Sequence, residues 1–209
     1  YYNTFMFSNP GYAGLSEGIC INGVYRQQWA GFTDDQGDVV SPQDFLVTID
    51  APIRVLHGGL GATIIQDRLG QQSDIIVKLA YAFHVDMNIG KLGIGLGLNL
   101  INRSVDGSKL RPLSANDPIL PTQQVSDLRI DGGFGIFLNQ PGRYYFGISV
   151  DNFLQTGFKK ISPLEEAVML TDRTFYVAGG YTFVLPRSPM FEIIPSVQII
   201  SDLASTQYN

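Results

Sequence analysis

Between Lys91 and Asn102 the chain alternates without a break. Leu92, Ile94, Leu96, Leu98 and Leu100 point one way, and Gly93, Gly95, Gly97 and Asn99 point the other. A strand over a soluble core puts its bulky residues where there is a volume to fill, yet opposite the leucines this strand offers almost nothing but glycine. The pattern is inside-out. Lipid demands apolar side chains outside and every backbone group paired within a closed sheet, so the segment predicts one strand of an antiparallel transmembrane β-barrel of outer-membrane type.

Composition narrows the alternatives. Charged residues make up 16% of the 209, against ~25% in soluble domains, and the 23 glycines exceed the usual ~7%. Both favour a barrel over a helical bundle. A net charge of -5, with Lys159-Lys160 the one adjacent basic pair, gives nothing to replace the counterions of a phosphate backbone, so no nucleic-acid partner is expected. Cys20 stands alone, allows no internal disulfide and reads as an ordinary small strand residue. No run of 18 apolar residues is present, so no membrane helix is expected. No leader opens the chain at Tyr1, and an exported form would be a processed one.

Nine segments follow the period-2 rule: Ile19–Trp29, Asp44–Ile53, Gly59–Asp67, Gln72–Asp86, Lys91–Asn102, Gln124–Asn139, Arg143–Asp151, Arg173–Leu185 and Phe191–Ser201. Apart from a turn around Pro163–Ala167, no helix is expected. Long polar connections (Ala30–Gln43, Arg103–Gln123, Asn152–Asp172) alternate with short turns (Arg54–Gly58, Met87–Gly90, Gln140–Gly142, Pro186–Met190), the tight Arg68–Gln71 being the exception. That asymmetry matches extracellular loops against periplasmic turns. Nine strands cannot close an even-numbered barrel, and the sequence stops at Asn209 directly after an apolar segment. Further C-terminal strands are therefore expected, with residues 1–209 as one barrel domain whose first 18 residues form a periplasmic or plug segment.

Motifs that would signal chemistry are incomplete. Asp34-Asp35-Gln36-Gly37-Asp38 resembles a calcium loop but lacks its twelfth-position acid and flanking helices, so a solvated hairpin loop is favoured. His57-Gly58-Gly59 has no Gly-x-Ser-x-Gly elbow to serve and reads as a turn. His84 shares a face with Lys78 but has no ligand-spaced His, Cys or Glu, and is read as an inward-facing or interface residue. Gly93–Gly97 has the wrong spacing for a dinucleotide fingerprint; its glycines suit a curving sheet or the close approach of another backbone. No catalytic residue, metal or cofactor is expected, and the protein is read as a non-enzyme.

Rings gather near strand ends, as an interfacial girdle would require: Trp29, Phe32, Tyr81, Phe83, Tyr144 and Tyr181. Two other readings stay open, a general diffusion porin or small-solute channel and a soluble β-sandwich binding module.

Asn9-Pro10-Gly11-Tyr12-Ala13-Gly14, followed by Tyr25-Arg26-Gln27-Gln28-Trp29 with Gly31-Phe32 and then Gly59-Leu60-Gly61, resembles the PorP/SprF family. Leu79-Ala80-Tyr81-Ala82 and Gly147-Ile148-Ser149-Val150-Asp151-Asn152 continue the similarity over most of the chain. The resemblance implies an outer-membrane protein of the Bacteroidetes type IX secretion system with a barrel longer than this chain. It implies partners too: a secreted surface adhesin, including those used in gliding motility, or a periplasmic peptidoglycan-binding lipoprotein, within a lipid and lipopolysaccharide membrane. The family brings no catalytic residues. From the residues themselves, the small inner wall of Gly93, Gly95, Gly97, Asn99, Gly133 and Gly135 is where a plug or a partner chain is expected to lie.

Overall fold

The computed structural model describes residues 4–33, 37, 40–109, 123–158, 169–184 and 191–208. β1 (Cys20–Gln27), β2 (Gln43–Ile53), β3 (Gly58–Leu69), β4 (Gln72–Met87), β5 (Gly90–Asp106), β6 (Gln124–Gln140) and β7 (Tyr144–Asp151) lie side by side in sequence order, all antiparallel. Among the described residues the short strands β8 (Gly157–Phe158) and β9 (Met169–Leu170) pair with each other and not with the main sheet. β10 (Thr174–Tyr181) then resumes the main sheet beside β7. β11 (Phe183–Val184) and β12 (Glu192–Ile193) extend the following hairpin, and β13 (Ser196–Ser201) and β14 (Thr206–Tyr208) complete a ten-stranded sheet.

Three expectations are corrected. Among the described residues the sheet holds ten strands rather than nine, because Thr206–Tyr208 is too short to show alternation yet pairs with β13. The last two segments are each interrupted, one at Thr182 and the other at Ile194-Pro195, where proline has no N–H to give to the ladder and its carbonyl accepts from Tyr181 N at 3.1 Å. One turn of helix, α1 (Phe5–Ser8), precedes a 3-10 turn at Pro10–Tyr12 where no helix was expected. Pro163–Ala167, Lys159-Lys160 and the acidic positions of the 34–38 motif lie outside the described residues. Among the described residues β1 and β14 are not bonded to each other, so the sheet is all antiparallel but open, and barrel closure is not seen.

The sheet is nonetheless strongly curved. β4 and β7 are three strand spacings apart, ~14 Å in a flat sheet, yet the Lys78 ammonium on β4 bonds the Asp151 carboxylate on β7. Phe7 underlines the point, with its ring 4.5 Å from Lys78 Nζ and 6.4 Å from the Tyr176 ring on β10.

On the convex face, register stacks apolar side chains into lateral rows. Val47, Ile64, Val77, Leu100 and Ile130 form one, and Ala51, Leu60, Tyr81, Leu96 and Phe134 another. Leu96 is 65% exposed. Along β4 the band runs from Ile75 to Val85. At ~3.4 Å per residue and a strand tilt of ~40° that is about 26 Å tall, matching the ~25 Å apolar band of outer-membrane barrels.

Connections sort by length. The connections after β1, β5 and β7 leave the sheet at one rim, together with the Gly70-Gln71 turn; those after β2, β4, β6 and β10 leave it at the other. These are called the long-loop and short-turn rims below.

Candidate functional site

The concave face is where the sequence places its smallest residues, and register turns scattered glycines into a trough. Gly61, Ala80, Gly97 and Gly133 stand opposite one another across β3–β6, and Gly59, Ala82, Gly95 and Gly135 form the adjacent row. Two neighbouring rows without a side chain beyond Cβ leave room for a second layer of backbone.

That layer is the chain's own N-terminal segment. The 3-10 turn at Pro10–Tyr12 lies so close that a Cβ on Gly11 would sit 2.9 Å from the carbonyl oxygens of both Gly93 and Gly135. A Cβ on Gly93 or Gly95 would overlap the backbone of Pro10 and Gly11, and one on Gly135 would overlap Asn9. Gly97 differs, since its Cβ would meet nothing nearer than Pro10 Cβ at 3.6 Å.

Polar groups of the wall fasten the segment. Asn9 folds the turn by accepting Gly11 N at Oδ1 (2.8 Å), while its Nδ2 donates to the Ile136 and Ile148 carbonyls at 3.1 and 3.2 Å. Asp50 Oδ2 accepts from Gly14 N and Ser16 Oγ at 3.2 and 2.5 Å. Ser149 Oγ donates to Ser8 O at 2.6 Å and Lys78 Nζ to Phe7 O at 3.1 Å. His84 Nε2 lies 2.9 Å from Ala13 O; a carbonyl can only accept, so this nitrogen carries the proton. Lys78 and His84, paired in the sequence by face alone, thus both hold carbonyls of the segment.

Apolar contact supplies the rest. Phe5 sits among Tyr12, Phe137 and Tyr145, with ring centroids 5.4, 5.2 and 4.8 Å away, and Met6 and Ala13 lie on Ala80 and Ala82. Burying a ring of this size is worth ~2–3 kcal/mol.

Towards the long-loop rim the wall changes character. In the row Thr48, Thr63, Lys78, Asn99, Asp131, Asn99 Nδ2 donates to Asp151 Oδ1 at 2.5 Å, and the Lys78 ammonium bonds the other oxygen of that carboxylate. Asp131, 1% exposed, accepts from the backbone N–H groups of Gly132, Leu154 and Thr156 at 2.7, 3.0 and 3.1 Å, and from the Thr156 and Thr171 hydroxyls. One carboxylate therefore folds the start and end of the β7–β10 connection onto the wall. Nearer the rim, Arg103 pairs with Asp74 (2.8 Å) and stacks 4.7 Å from the buried Phe158 ring, and Arg129 pairs with Asp127 at 2.6 Å.

Of the six expected inner-wall contact residues, Gly93, Gly95 and Gly135 lie under the N-terminal segment, while Gly97, Asn99 and Gly133 lie where the trough meets the charged row. The ring residues divide by rim. Tyr81, Phe83, Tyr144 and Tyr181 collect towards the short turns, where Tyr81 and Tyr144 donate to the Leu56 and Ile89 carbonyls at 2.7 and 2.6 Å. Trp29 and Phe32 are exposed in the β1–β2 connection at the opposite rim.

The expected contact residues do not include Asp50, Asp131 and Asp151, nor the paired Asp74–Arg103 and Asp127–Arg129. Their signal was parity: all occupy the same alternate positions as the inward glycines. His57 forms the β2–β3 turn at φ 49°, its carbonyl accepting from His84 N at 2.9 Å. Among the described residues no three His, Cys, Asp or Glu side chains are grouped to hold a metal ion, and no helix is long and apolar enough to cross a membrane.

A family model described as type IX secretion system membrane protein PorP/SprF matches residues 1–209. No curated protein and no solved structure matches the chain.

Proposed function

The chain belongs to the PorP/SprF family of type IX secretion system membrane proteins, and from that premise we propose that it is a non-enzymatic outer-membrane β-barrel. In this reading it holds or exports a surface adhesin, or links the secretion and gliding machinery to the envelope through a peptidoglycan-binding lipoprotein. The observation that carries the reading is the two-sided sheet. A convex apolar band of lipid-like height backs a concave wall whose glycine trough is occupied by the N-terminal segment and whose other half is polar.

A filled wall supports retention rather than free diffusion. A partner segment can reach Gly93, Gly95 and Gly135 only by taking the place of residues 9–15.

Affinity purification from native membranes, with identification of what remains bound, tests the partner. An adhesin tail supports surface attachment and a peptidoglycan-binding lipoprotein supports anchoring. Large steady conductance in planar bilayers would favour the diffusion channel instead. A stable monomer free of detergent would overturn the membrane barrel.

A further inference from the structure

Where the convex face meets the long-loop rim, its lateral rows turn polar. Gln43, Arg68, Ser73 and Ser104 stand directly opposite one another across β2–β5. With Ser41 and Asp106 they border a hollow of about 340 Å³.

Its bonding capacity is largely uncommitted among the described residues. Arg68 is exposed and forms no ion pair there. Ser41, only 3% exposed, accepts from Gln27 Nε2 at 3.4 Å, and Ser104 Oγ accepts from Gln124 Nε2 at 3.2 Å, so both hydroxyl protons remain to be donated. Asp106 uses Oδ1 for Ser108 N and Oγ at 3.2 and 2.6 Å and leaves Oδ2 for another donor.

Further down the same strands lies a second hollow, of about 680 Å³, with a wholly different lining. Ile49, Leu60, Leu79 and Leu98 surround a depression opened by the small side chains of Ala51 and Ala62. A hollow lined by one guanidinium, one carboxylate and several hydroxyls, above an apolar one, has the profile of an amphiphile. A guanidinium matches phosphate oxygens, and hydroxyls beside a carboxylate match the hydroxyls of a sugar.

We propose that this face seats one glycolipid with a phosphorylated sugar headgroup. Arg68 holds the phosphate, Ser41, Ser73, Ser104 and Asp106 hold the sugar, and an acyl chain occupies the hollow over Ala51 and Ala62. The inference rests on the reading that the convex face meets lipid, since only then does the polar row lie at headgroup depth.

Native mass spectrometry of the detergent-purified chain, after incubation with monophosphorylated lipid A or its dephosphorylated form, tests it. The wild type should retain the phosphorylated lipid preferentially. Arg68→Gln, an exposed change that breaks no ion pair among the described residues, should reduce retention about tenfold. Ala62→Phe should reduce it by filling the apolar hollow, and Arg54→Gln at the opposite rim should leave it unchanged. Equal retention of the two lipids, equal effects of Arg68→Gln and Arg54→Gln, or displacement of the lipid by an equimolar amount of inorganic phosphate would overturn the site while leaving the barrel reading intact. Failure of the wild type to enter lipid nanodiscs would overturn both.

Discussion

Towards the short-turn rim the concave wall is mostly glycine and alanine, edged by His84, Phe137 and Tyr145; towards the long-loop rim it is carboxylates and their partners. Each half holds a piece of irregular chain, by different means. In the first, backbone lies on backbone: side chains are removed from the wall so that residues 9–14 can approach, and the aromatic rings of Phe5, Tyr12, Phe137 and Tyr145 close around the end. In the second, Asp131 reaches out to the N–H groups of a connection that stays at side-chain distance. Shape complementarity fixes one register and tolerates little change, whereas a carboxylate with several donors gathers a loop of looser sequence requirements. The trough therefore specifies its occupant closely, and the charged half leaves room for variation at the rim.

If that division is real, damage to one half should spare the other. Phe5→Ala removes the ring at the centre of the aromatic cluster and should weaken docking of the segment by ~3–5 kcal/mol. In hydrogen-exchange measurements the amides of residues 5–15 should lose protection while Leu154 and Thr156 keep theirs; loss at both would show one cooperative unit. Gly95→Ala comes next, at roughly 3 kcal/mol, because its Cβ would overlap the Pro10–Gly11 backbone and neither wall nor segment can yield cheaply. Gly97→Ala, one row away with ordinary contact distances, should be almost silent in the same assay. Asp131→Ala reverses the pattern. Stranding the Leu154 and Thr156 N–H groups should cost about 2 kcal/mol locally and free the β7–β10 connection, with residues 5–15 unmoved.

The sequence made the strands legible because alternation is local: Leu92 to Leu100 declares its two faces within a dozen residues. It also showed that Gly95 and Gly135 face inward. What it hid was register. Nothing near Gly59, Ala82, Gly95 or Gly135 states that they stand in one row, and only that row makes a trough. Asn9–Gly14, with its proline and two glycines, has the composition of a turn, but its destination depends on the same register. The inward direction of Asp131 is local too, but its role is not, because apart from Gly132 its donors lie 23 to 40 residues later in the chain. Inward charge was the available clue, since a polar interior is what an inside-out sheet requires.

The smallest effect tests whether a carboxylate can also hold chain at the long-loop rim without burial. Asp202, in the turn between β13 and β14, accepts from Ser205 N at 2.5 Å, from Ala204 N at 2.9 Å and from Ser205 Oγ at 3.1 Å. These bonds, the Ser205 and Ala204 amides foremost, hold its carboxyl below the usual carboxylate range. A folded value below the unfolded one means that the turn gains its support above the ordinary carboxylate pKa of ~3.9 and loses it as pH falls through the folded value. Acid should therefore fray the three residue pairs of β14 before it disturbs β13, read as faster amide exchange at Thr206–Tyr208. Asp202→Asn keeps an accepting oxygen and should abolish the pH dependence while retaining the turn; Asp202→Ala should fray β14 at every pH. If β14 instead stays protected in acid, the Asp202 bonds are not what holds it, and the rule that carboxylates gather chain at this rim holds only for buried Asp131.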